Sequence, residues 1–278
     1  MPTLDEFASK FFFRPELAGY VGVERECFLV RDGKVAPIAH TVLSYLQSNA
    51  NGRADSFGYE LSGCQLEDRT YRPCLLNELC DMLKLNEAAM VAAEKALGFT
   101  RLYCGTGPED MPLDHYPDPR YDRIVATLPR EALRAACRVT GVHIHVGMSD
   151  HKTALATYNK VIKHFPRLCM VGCDSFDGRL GQYQVVVDSL GKKGIFSKRI
   201  VLFQEHLVNG ITVPPPYGSW EDFYDRAVGE GFVNDPRRLW DFIRISRHGT
   251  IEFRMFDSTI DLSTIYFWAA LCRTLCVT

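Results

Sequence analysis

GVERECFLV, residues 22–30, sets two glutamates one residue apart inside an apolar, β-branched run that reads as a strand. Side chains on a strand alternate between faces, so Glu24, Glu26 and Phe28 project to one side and Val23, Arg25 and Cys27 to the other. The two carboxylates then lie roughly 6 to 7 Å apart along the backbone. Like charges that close repel, and burying them unpaired costs several kcal/mol, so something positive must lie between or above them.

Two further strands repeat the pattern. CRVTGVHIHVG (137–147) places His143 and His145 on one face, and GTIEFRMFD (249–257) does the same for Glu252 and Arg254. One such pair describes an ordinary solvated sheet face. Three pairs between apolar neighbours describe a trough of carboxylates, imidazoles and a guanidinium, if the strands are adjacent. Oxygen-rich sites without thiolate suit magnesium, or manganese, better than zinc. Glu60 and Glu67 are further candidates, but a spacing of seven gives them opposite strand parity. Both face the trough only if a turn or bulge intervenes, as at Ser62-Gly63.

Magnesium held by few carboxylates keeps positions for water and nucleotide phosphates, which points to ATP chemistry. The sequence has no GxxxxGK[ST] loop and no kinase-type GxGxxG set, so metals and basic side chains would hold the phosphates. Arg254, Arg244 and the Lys198-Arg199 pair are the candidates. A surface charge is the default for a single arginine, and Arg254, beside Glu252 on a strand, departs from it most clearly.

The chain has 278 residues, 46% hydrophobic and 24% charged, with a net charge of −2. That balance gives no footprint for nucleic acid. No apolar run is long enough for a membrane span, and MPTLDEFASKFFF carries acids where a signal peptide has a basic start; it reads as an amphipathic helix. Ten cysteines without a CxxC pair read as reduced, buried thiols, with the i,i+4 pairs Cys169/Cys173 and Cys272/Cys276 as core packing. A cytoplasmic location is the expectation.

Strand 20–30 turns through Asp32-Gly33 into a second strand over 34–39. A helix covers 41–50, one or two strands lie in 57–70, and a long helix over 77–97 ends at Gly98. FTRLYCG is a strand. The proline- and acid-rich stretch 106–124 is a surface loop, and Thr106 to Pro119 is read as a lid that orders over substrate. Helices follow at 121–136, 151–164 and 196–207, and Ser219 caps a helix over 220–229 with Asp222 at its third position. DFIRISR and GTIEFRMFD are strands, and an apolar helix runs from 261 to the end. Strands joined by both hairpins and helices indicate α+β with a largely antiparallel sheet. No linker divides the chain.

GVERECFLV, YELSGCQLEDRT, the GTGP and DPRY pieces, GVHIHVG and GTIEFRMFD resemble, in this order, the bacterial carboxylate-amine ligase branch of the glutamate-cysteine ligase family. The resemblance covers roughly residues 20–276, and its specific parts are the E-x-E, H-x-H-V-G and E-x-R strands together. It implies a glutamine synthetase-like catalytic domain, a curved antiparallel funnel with flanking helices, ATP entering one end and the amino acid the other, and magnesium between. It implies Glu24, Glu26, Glu60, Glu67, His143 and Glu252 as metal ligands and Arg254 as the residue that stabilises the transferring phosphoryl group. His145 would touch nucleotide phosphate or support the sheet.

CDSFDGRLGQYQVVVDSLGKKGIFSKR departs from the family, retaining mainly Ser197 and Arg199. The uncapped apolar end LCRTLCVT reads either as a short member or as a chain lacking its C-terminal continuation. The expectation is one catalytic domain over 1–278, an ATP-dependent ligase joining glutamate, or a similar amino acid, to an amine such as that of cysteine. Homo-oligomer formation stays open. The alternatives are a metal-dependent hydrolase using the same Glu/His cluster and a non-catalytic nucleotide-binding homologue.

Overall fold

The computed structural model describes residues 1–50, 52–173, 183–187, 193–207 and 215–278. Its centre is the long strand β1 (Val21–Arg31). Asp32 and Gly33, both at positive φ, make the tight turn into β2 (Lys34–Val35), which is shorter than expected because Pro37 and the start of α2 (Ala39–Asn49) follow at once. β3 (Phe57–Tyr59) and β4 (Gln65–Arg69) precede α3 (Leu76–Leu97), which ends on left-handed Gly98. β5 (Thr100–Leu102) follows.

The helix expected over 121–136 is two helices, α4 (Pro119–Thr127) and α5 (Arg130–Cys137). Pro129 forces Leu128 into an extended conformation and ends the first. Next come β6 (Gly141–Gly147), α6 (His151–Val161) and α7 (Phe165–Val171). The two strands β7 (Tyr183–Val187) and β8 (Lys193–Ser197), which the sequence reading did not foresee, pair with each other and lead into α8 (Lys198–Leu207). The chain ends with α9 (Trp220–Gly229), β9 (Ile243–Ser246), β10 (Thr250–Asp257) and α10 (Leu262–Val277). Ser219 caps α9 as expected, its hydroxyl accepting from the Asp222 amide. The first helix, α1, is confined to Leu4–Ala8, because Phe12 leaves it to donate its amide to the Arg247 carbonyl.

β3-β4-β1-β6-β10-β9 form the spine of an eight-stranded sheet, with β2 and β5 also on β1, and every pairing is antiparallel. Behind β6 and β10 the back face is apolar: Val23, Ile144 and Phe253 align across three strands and belong to one buried core with Trp268 of α10, Tyr158 of α6 and Leu83 of α3. β10 gains one residue between Phe253 and Phe256 relative to β6, and this bulge returns Phe256 to the back, where its ring stacks on Trp268 at 4.8 Å. Among the described residues no disulfide joins the ten cysteines, and eight of them are buried. Among the described residues, no helix is long and apolar enough to cross a membrane.

The stretch read as a lid is tied down at several points. Gly107 donates to the Arg138 carbonyl, Gly63 to that of Asp114 and Tyr116 to that of Leu61. Residues 108–110 are its exposed tip.

Candidate active site

Strand register assembles the front face. Glu24 lies opposite Arg69 on one side and His143 on the other, Glu26 opposite Glu67, and Glu252 between His145 and Arg244. Residues directly opposite share a face, so the three pairs read from the sequence do form one surface.

Two clusters stand on it. Glu24, His145 and Glu252 bring one ligand atom each within 4.8 Å of one another, and so do Glu26, Glu60 and Glu67. The irregular connection 60–64, whose Ser62 bridges His115, resolves the parity problem that the spacing of seven posed. His143 spans the clusters, its Nδ1 at 3.1 Å from Glu24 Oε2 and its Nε2 at 3.4 Å from Glu26 Oε1.

The basic residues divide. Arg244 grips Glu252 with two prongs, Nε to Oε2 at 2.7 Å and Nη2 to Oε1 at 2.9 Å, while Arg254 Nη1 donates to Oε1 at 2.6 Å. Arg199 is buried and donates to the Arg254 carbonyl. It packs against Gly141, where a side chain would collide with its guanidinium. Gly141 in turn donates its amide to Glu26 Oε2 at 2.6 Å. Lys198 stands apart, its side chain 46% exposed and 4.0 Å from Glu109.

Burial pushes the Glu24 carboxyl up, but His145 and His143 outweigh it and hold the group well below the usual carboxylate range. Glu252 is depressed in the same way, with Arg244, His145 and Arg254 overcoming burial. In the other cluster burial wins. Glu26 stays raised despite Arg199 and Arg254. Burial and the nearby Glu26 push Glu60 to about 7. Burial, with Glu24 and Glu60, raises Glu67 well above its ordinary value. Burial and Arg254 lower His143 to about 4, whereas Glu252 and Glu24 lift His145 against burial.

Both clusters have the chemistry of divalent-cation sites. His145 Nδ1 is satisfied by Thr250 Oγ1 at 2.8 Å, which turns the buried Nε2 toward Glu24 and Glu252, 3.5 Å from Glu24 Oε1. An imidazole fixed through one nitrogen, with the other turned toward carboxylates, is how a ligand histidine is held. Glu252 accepts three hydrogen bonds, so about one of its roughly four lone-pair sites remains. Two buried carboxylates and the half-buried Glu60, crowded together, call for a hard cation, and their all-oxygen set suits magnesium or manganese.

Two cavities meet at Glu24. One, of about 320 Å³, is lined by Glu26, Glu60, Arg199, Arg237 and Arg254. The other, of about 520 Å³, runs past His145 to Arg14, Tyr20, Tyr71 and Arg72. Glu24, Arg69, His145 and His248 line this second cavity, and all but His145 also line the first. Sequence reading missed Arg69 and His248. Arg69 had a signal, since Glu67/Arg69 repeats the E-x-R spacing of Glu252/Arg254, and its Nη1 does bind Glu67 at 3.1 Å. His248 sits in the β9–β10 turn and has no such pattern.

The sequence pattern of glutamate-cysteine ligase family 2 matches residues 20–278. The chain belongs to that family. A putative glutamate–cysteine ligase 2 of Clavibacter michiganensis is 29% identical over 203 residues, 70% of this chain and 49% of that protein. A glutamate–cysteine ligase of Natronomonas pharaonis is 29% identical over 252 residues, 87% of this chain and 65% of its own length. This family member thus spans about half to two thirds of the curated relatives it matches. Its fold is shared with a bifunctional glutathione synthetase from Pasteurella multocida, at a TM-score of 0.59 and 13% identity, over 93% of this chain and 39% of that one.

Proposed function

We propose that this chain is the catalytic part of an ATP-dependent carboxylate-amine ligase that joins the side-chain carboxyl of glutamate to an amine such as that of cysteine. The carrying observation is the pair of acidic clusters built from neighbouring residues of one strand, Glu24 and Glu26, with Arg254 close enough for its charge to act on Glu252, Glu26 and Glu24.

A free carboxylate is a poor acyl donor because oxide leaves badly. Phosphorylation by ATP turns that oxygen into part of a good leaving group, and amine attack on the acyl phosphate then forms the amide and releases phosphate. Magnesium or manganese, when bound, would neutralise the oxygens that otherwise keep carboxylate and triphosphate apart. Glu24, His145 and Glu252 would hold one ion, and Glu26, Glu60 and Glu67 another. His143 spans Glu24 and Glu26 and keeps both oriented. Arg244 fixes the Glu252 carboxylate, and Arg254 faces the charge that develops on the transferring phosphoryl group. The larger cavity, with Tyr20, Tyr71, Arg14 and Arg72, suits a nucleoside triphosphate, and the smaller one, with Arg199 and Arg237, suits an amino acid.

The test is phosphate release from ATP with magnesium, measured with glutamate, with single amines and with both together. Joint stimulation and amide formation support the ligase. Metal-dependent hydrolysis that needs no nucleotide supports the hydrolase instead.

A further inference from the structure

The back of β1 and β4 carries charge that the site does not use. Arg25 is fully buried and faces away from both clusters. Its Nε donates to Asp68 Oδ1 at 2.9 Å, and its Nη2 to Asp68 Oδ2 at 3.3 Å and Glu87 Oε2 at 3.2 Å. Asn86 Nδ2 adds donors to Asp68 Oδ2 and the Arg69 carbonyl. Arg101 binds Glu87 and Glu94 of α3, and the Tyr103 ring lies 5.0 Å from the Arg25 guanidinium. A buried ion pair is weak evidence for stability, since an apolar pair of similar volume is often as stable; its best-attested use is to specify register.

Register is what the front face requires. Arg25 lies between Glu24 and Glu26, and Asp68 between Glu67 and Arg69; the partners across the strands are Glu24 and Arg69, Arg25 and Asp68, Glu26 and Glu67. Glu26 and Glu67 are like charges directly opposite, which works against the pairing that assembles their cluster. A slip of one residue would turn the glutamates to the back. A slip of two would carry Glu67 about 7 Å along β1 and set buried Asp68 against Val23 or Cys27, with no cation.

We propose that Arg25 and Asp68 are positioning residues that lock the β1–β4 register and thereby the spacing of Glu26 and Glu67 around Glu60. This rests on those carboxylates forming a divalent-cation site. The other cluster is an internal control, because Glu24, His145 and Glu252 come from β1, β6 and β10, whose mutual registers do not involve β4.

The experiment is a Mn²⁺ titration followed by electron paramagnetic resonance, with metal-free melting temperatures, on the full chain and its variants. Glu60→Gln marks which Mn²⁺ site belongs to the Glu26 cluster. Arg25→Met alone leaves Asp68 buried without its cation and should melt much lower. Arg25→Met/Asp68→Leu should regain most of the melting temperature yet bind Mn²⁺ at that site about 10-fold or more weakly, with the other site little changed. Arg25→Lys keeps the charge, loses the two-pronged contact and should weaken the same site several-fold; it carries the test if the double variant does not fold. Affinity that returns together with stability, or is unchanged in Arg25→Lys, overturns the register role. Wild-type protein that binds no Mn²⁺ overturns the cation reading and this inference with it.

Discussion

Replacing Glu60 with glutamine removes one charge from its cluster and preserves the shape. In the metal-free protein, burial and the charges of Glu26 and Glu24 hold the Glu60 carboxyl at about 7 against an ordinary 4.5. A carboxyl raised on folding lends stability that is complete below its unfolded value and is lost as pH rises through its folded one. The window is therefore about pH 4.5 to 7. Over it the unfolded chain has released a proton that the folded chain still holds. At about 1.4 kcal/mol per tenfold change in acidity, the span from 4.5 to about 7 sets a ceiling of about 3 kcal/mol.

Without metal at about pH 8, Glu60→Gln should thus be more stable than wild type by up to about 3 kcal/mol, and the gap should close toward about pH 5. Mn²⁺ should reverse the order at the higher pH, because wild type gains binding energy that the variant largely forgoes. Urea denaturation at both pH values, with chelator and with Mn²⁺, measures this. A difference between the two proteins that is independent of pH, or equal stabilisation of both by Mn²⁺, would refute the reasoning.

Glu24→Gln and Glu26→Gln should each abolish turnover and one Mn²⁺ site, because an amide accepts hydrogen bonds but cannot neutralise a divalent ion; near-normal activity with unchanged magnesium dependence would count against the ligand assignment. Arg254→Lys should lower the rate of amide formation by about 100-fold, roughly 3 kcal/mol, with equilibrium ATP binding much less affected. A variant that binds ATP poorly but turns over normally at saturation would make Arg254 a docking contact only. Trp268→Ala removes the ring stacked on Phe256 and should cost about 3 to 5 kcal/mol in chemical denaturation, with turnover per folded molecule retained.

The period-two alternation of GVERECFLV, GVHIHVG and the first half of GTIEFRMFD determined which side chains share a face, since a regular pleat turns successive side chains to opposite sides. Asp32-Gly33 and Gly98 likewise announced a turn and a helix end, because positive φ suits few residues. These signals are local. The order β1-β6-β10 that turns three separate pairs into one surface is not, because pairing depends on partners more than a hundred residues apart. The same holds for Glu60, whose place beside Glu67 depends on an irregular connection held by His115, and for the bulge that keeps Phe253 and Phe256 in one core. β7 and β8 went unrecognised because a two-stranded ribbon has little periodicity to distinguish it. Composition of the strands chose the chemistry, while tertiary register chose the grouping, bringing Glu24 together with His145 and Glu252, and Glu26 with Glu60 and Glu67. The distances within each cluster are set by contacts across strands, and these exist only once the sheet has formed.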